Sequence, residues 1–95
     1  MAYTLRSFGT SSQCINGGNL AWLFETAERY DWHPLLSPHS KTPVEDYHGR
    51  TILREDARDF AEALSRYLAA EPSQDDAWVR EIVTLCVLGG DVVIR

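Results

Sequence analysis

Residues 52–68, ILREDARDFAEALSRYL, separate by helical angle into two faces. At about 100° per residue, Ala57, Phe60, Ala61, Leu64, Tyr67 and Leu68 share one side, and Arg54, Glu55, Arg58, Asp59, Glu62 and Arg66 cover the other. This is the pattern of an amphipathic helix that buries one face on a core. A second helix is predicted over 20–30, with Leu20, Leu23, Phe24, Ala27 and Tyr30 inward and Asn19 as its N-cap. Glu25 and Arg29 then form a favourable (i, i+4) pair outside. Trp22 departs from the pattern, because by angle it belongs with Glu25 and Arg29, roughly opposite Leu20. Either the following loop folds back over it, or it is an exposed aromatic anchor for another protein.

The last helix shows a broad apolar face of Trp78, Val79, Ile82, Leu85 and Cys86, widened by Val83. Ser73 with Asp76 resembles a capping box, with Asp in place of the usual Glu or Gln. Gly89 and Gly90 are expected to end this helix in the left-handed conformation. Both ends of the chain read as strands. AYTLRSF puts Tyr3, Leu5 and Ser7 on one side, and DVVIR is a strand by composition. Pairing the two satisfies their backbones. Residues 9–18, rich in Gly, Ser and Asn, are expected to be a loop.

Residues 31–49 hold Pro34, Pro38 and Pro43 and all three histidines. Proline at this density prevents helix and restricts strand. Trp32, Leu35, Leu36, Val44 and Tyr47 can tether the segment to the core, and loops of this length in small domains are often functional. A short strand over 50–53 follows. The predicted fold class is α+β: one domain over 1–95, with three helices packed on a small antiparallel sheet formed by the N- and C-terminal strands.

Composition sharpens this picture. A hydrophobic fraction of 44% supports a folded chain. The longest apolar run, near 82–88, falls short of the ~20 residues a membrane span needs. The opening residues lack the pattern of a secretory signal, so the expected compartment is the cytoplasm, where Cys14 and Cys86 stay reduced and Cys86 is a buried thiol. A net charge of −5 with a single lysine, Lys41, argues against direct nucleic-acid binding, which needs clustered cations to neutralise phosphates. It fits ordinary solubility first and a basic protein partner second.

Chemistry is less strongly written. His33, His39 and His48 share their loop with Glu45 and Asp46, and metal sites do use these ligand types. Their spacings of six and nine residues match no compact ligand motif, so no metal or cofactor is expected. Ser11, Ser12 and Cys14 have no nucleophile elbow around them, and Gly17-Gly18 lacks a phosphate-loop pattern. No catalytic residue is assigned, and an enzyme is not expected. Glu55, Asp59 and Glu62 lie within about 60° of one another on their helix. A solvated face is the ordinary reading of such a stripe. The sharper one is a row of negative charges presented to a groove built for phosphates.

Several features together resemble an uncharacterised family of small bacterial and phage-associated proteins: Tyr3 in an early strand, Trp22-Leu23, the Tyr30-x-Trp32-x-Pro34 turn and Asp56-Ala57 opening an Ala/Leu helix. The ending Leu85-x-x-Leu88-Gly89-Gly90-x-Val92-Val93-Ile94 completes the resemblance, which covers most of the chain. Such relatives carry a better N-cap where this chain has Leu53-Arg54. The resemblance implies no agreed activity and transfers no catalytic role. By size and charge, rather than by motif, the chain is similar to mobile-element inhibitors of host defence complexes, such as anti-CRISPR proteins.

The expected function is a non-enzymatic protein-binding module, with Glu55, Asp59, Glu62 and Trp22 as partner-binding residues. Its most specific form is an inhibitor whose acidic helix covers a basic, nucleic-acid-binding surface on its target. The alternatives are a small metal-dependent or hydrolytic enzyme using the histidine loop, and a self-associating structural protein that dimerises through Trp22 and the terminal strands.

Overall fold

The alternation in Ala2–Ser7 produces the first strand, β1: Tyr3, Leu5 and Ser7 are buried, while Ala2 and Arg6 are exposed. The computed structural model describes residues 2–7, 12–71 and 76–95. Part of the stretch expected to be loop is a second strand, β2 (Gln13–Asn16), antiparallel to β1 with Ile15 opposite Tyr3. Cys14 and Ile15, adjacent between two polar residues, give no alternation to read as a strand, and the ladder with β1 supplies what the local pattern lacks.

Helix α1 (Gly17–Arg29) therefore starts earlier than expected. Its N-cap is Asn16 rather than Asn19; the Asn16 side chain accepts the Asn19 amide at 2.7 Å from the extended backbone that a cap requires. The helix ends at Tyr30, and Asp31 follows with φ of +72°. The Trp32 amide then bonds back to the Ala27 carbonyl (3.1 Å) and the Asp31 amide to that of Glu28 (3.3 Å). This is a Schellman ending with Asp in the left-handed position usually held by Gly, and it turns Trp32 into the core.

The proline-rich segment is tethered by fewer residues than expected. Trp32 and Tyr47 are fully buried, but Leu35 and Leu36 point into solvent. Val44 opens a 3₁₀ turn, Val44–Asp46, and its carbonyl accepts the Tyr3 hydroxyl at 2.7 Å. Gly49, at φ +81°, makes the turn into β3 (Thr51–Ile52) that a side chain would strain. Strand β3 pairs with β4 (Val92–Ile94), and β4 pairs with β1, giving the antiparallel order β2-β1-β4-β3. The N- and C-terminal strands form the central pair.

Helix α2 (Arg54–Ala70) begins after Leu53, because Ile52 belongs to β3. Helix α3 (Ala77–Leu88) has Asp76 at its N-cap rather than at the third helical position of a capping box, and Ser73 lies outside the described residues. Gly89 does not stop α3 in the left-handed conformation: its φ is −90° and ψ −163°. It is required for space, since a Cβ there would lie 1.6 Å from the Ser7 hydroxyl oxygen. The inner face of the sheet, with Leu5, Ile52, Val92 and Ile94, packs with Leu23, Phe24, Phe60, Leu64, Ile82 and Leu85 of the helices in one core. The fold is α+β, three helices on a four-stranded antiparallel sheet.

Candidate protein-binding surface

Helix α2 forms where Ala, Leu, Glu and Arg dominate, yet Leu53 at its N-cap has no side-chain oxygen to offer. The missing cap comes from a distant residue: Asp91, just before β4, accepts the Arg54 amide at 2.7 Å. Glu55 and Asp56 in the first turn complement the positive end of the helix dipole. Ala57, Phe60, Ala61, Ala63, Leu64 and Tyr67 are buried, which leaves Glu55, Asp59 and Glu62 exposed together on the opposite side. Arg66 shares their angular sector, but its guanidinium donates to the Tyr30 carbonyl (Nη2, 2.5 Å) at the end of α1. Exposed Arg58 flanks the stripe.

Trp22 lies apart from this stripe and is half-buried. Its cover is not the following loop but two neighbouring helices: the ring meets Tyr67 of α2 edge-on at 5.5 Å and Trp78 of α3 at 5.8 Å. Tyr30 completes the cluster through an edge contact with Tyr67 at 6.0 Å. The Tyr30 hydroxyl donates to Glu71, and this bond raises the phenol above its ordinary pKa. The aromatic edge of Trp22 thus serves the packing of α1 on α2 and α3.

A second surface was not legible as one. Leu35 (93% exposed), Leu36 (75%) and Leu53 (40%) wall an open groove of about 400 Å³, completed by Arg54, Glu55 and Asp56. The leucine turn is held from both sides on the start of α2. Before it, Trp32 donates Nε1 to the Asp56 carbonyl at 2.9 Å, stacks on Phe24 and meets Phe60 at a tilt. After it, buried Ser37 donates to Asp56 Oδ2 at 2.6 Å and accepts the Leu53 amide at 2.9 Å. The Pro-flanked Leu pair was the available signal, but an apolar pair in a loop reads equally well as a core tether. Glu55 borders the groove and also begins the acidic stripe, so the two surfaces are continuous.

Comparisons with family models, with curated proteins and with solved structures return no match. The reading of the surface therefore rests on its geometry. His33 and His48 are exposed, and half-buried His39 accepts the Lys41 amide on Nδ1 at 3.2 Å. Among the described residues, no three His, Cys, Asp or Glu side chains are grouped to hold a metal ion. Ser12 is exposed and Ser11 lies outside the described residues. Both cysteines are free: Cys14 is exposed on β2, and Cys86 is buried in α3, where burial pushes its thiol up to about 12. No helix among the described residues is long and apolar enough to cross a membrane.

Proposed function

We propose that this protein is a non-enzymatic, cytoplasmic protein-binding module that engages a basic partner through the acidic face of α2. In its most specific form it is an inhibitor that covers a nucleic-acid-binding surface, the role to which small acidic products of mobile elements are suited. One observation carries the reading. Glu55, Asp59 and Glu62 stand exposed along one side of a helix whose other face is buried, and Arg66, which shares their sector, donates to the Tyr30 carbonyl. A row of three carboxylates along one helix face suits an oppositely charged surface.

The test begins with a partner captured from host lysate and remade in pure form. The combined reversal Glu55→Lys, Asp59→Lys and Glu62→Lys should weaken its binding and remove the salt dependence that exposed charges confer over about 8–10 Å. Trp22→Ala separates this mechanism from an aromatic anchor, whose truncation typically costs ~2 kcal/mol or more with little response to salt. Because Trp22 also packs on Tyr67 and Trp78, the stability of that variant is measured beside its affinity. Wild-type affinity in the triple reversal would refute the acidic-face mechanism.

A further inference from the structure

Leu35 and Leu36 are the most exposed of the large apolar side chains among the described residues, and the turn bearing them is built to keep them there. Trp32 and Ser37, both buried, bracket the pair and both bond to Asp56, through its carbonyl and its carboxylate respectively. Pro38 is buried directly beyond. These anchors fix the chain on both sides of the two leucines. The entropy of ordering the turn is therefore met in folding rather than in binding, which is how a preorganised contact gains affinity. Leu53 stands across the groove as the N-cap of α2. The groove these leucines border has a volume of about 400 Å³.

Charge decides the occupant. Glu55 sits on the rim, and Asp59 and Glu62 continue from it over about 10 Å of helix at ~1.5 Å per residue. Arg54 also lines the groove and Arg58 flanks the stripe, but Glu55, Asp59 and Glu62 outnumber them, and the net charge of −5 opposes association of the chain with itself. A segment with both aliphatic and cationic side chains satisfies the groove and the stripe together. Resting on the protein-binding reading above, we infer that the groove takes aliphatic side chains of a partner segment whose flanking Lys or Arg residues seat on Glu55, Asp59 and Glu62. The leucine turn supplies the apolar selection and the stripe the charge selection. Helix-in-groove recognition works in this way.

Three labelled helical peptides test this by fluorescence anisotropy: one with a leucine face and lysines, one with each leucine changed to serine, and one with each lysine changed to glutamate. The wild-type protein should bind the Leu/Lys peptide at least about tenfold more tightly than either control, a factor worth about 1.4 kcal/mol. Leu35→Ser with Leu36→Ser, both solvent-facing, should erase the preference over the Ser/Lys peptide and leave weak, salt-sensitive binding of both basic peptides. If that variant keeps the preference, or wild type never shows it, the groove is not the seat and this proposal fails while the acidic face stands. Equal binding of the Leu/Glu and Leu/Lys peptides would sink the acidic-face reading as well. Sedimentation showing a wild-type dimer that the leucine variant abolishes would make a second copy the occupant and overturn the proposal.

Discussion

The hydroxyl of Tyr47 is buried near Tyr3 and Phe24 and is the one buried side-chain polar atom among the described residues with no hydrogen-bond partner. The same burial holds its phenol above the ordinary pKa. Burying a hydroxyl without a partner costs about 1–3 kcal/mol, so the ring is retained for its aromatic contacts despite the oxygen. Tyr47→Phe keeps the ring and removes the orphan, and is expected to leave stability unchanged or raise it by about 1 kcal/mol in urea melts. A loss of that size would show that the hydroxyl is bonded in solution. Its role as a tether was legible, because an aromatic in a proline-rich polar segment has few other uses. The orphan oxygen was not, since satisfaction depends on atoms from other elements.

At the scale of elements, the start of α2 joins four parts of the chain: Trp32, Ser37, Leu53 and Asp91 all meet within its first turn. Leu53-Arg54 looks like a helix with no cap, and the cap arrives from a residue 37 positions away. Asp91→Ala should cost about 1 kcal/mol, within the ~0.5–2 range for caps, and Asp91→Asn should recover most of it. A thermal melt of the two variants decides this, and equal stability of Asp91→Ala and wild type would remove Asp91 from the capping role. The same turn carries Glu55, so the cap fixes where the acidic stripe begins. Charge reversal at Glu55 consequently disturbs the dipole of α2 as well as the surface, an effect of about 0.3–1 kcal/mol that binding measurements must separate.

For the whole molecule, ionisation of the core sets an alkaline limit. Below about pH 9 the Cys86 thiol is protonated in both the folded and the unfolded chain. Between about 9 and 12 the unfolded chain releases that proton while the folded one retains it. The folded state then binds more protons, and stability falls as pH rises through this window. Tyr47 and Tyr67, whose pKa values burial raises above 10.0, act in the same direction. Denaturant melts across the window should show this decline, with a shallower slope in Cys86→Ala. An unchanged slope in that variant would assign the decline to the tyrosines.

What the chain determined by itself is what repeats within a few residues. The 3.6-residue period placed the buried faces of all three helices, and the two-residue period placed Tyr3, Leu5 and Ser7 inward on β1. Composition identified β4, and the need to satisfy backbone groups paired it with β1. The acidic stripe is visible for the same reason, because angle alone puts Glu55, Asp59 and Glu62 together. Only the tertiary structure decided what depends on distant neighbours. β2 exists because β1 offers a ladder, Gly89 is glycine because Ser7 approaches it, and Trp22 is covered because Tyr67 and Trp78 converge on it. Leu35 and Leu36 face solvent because Trp32 and Ser37 are bound on either side. Local periodicity reports which side of an element is apolar; it carries no record of which other part of the chain will reach that side.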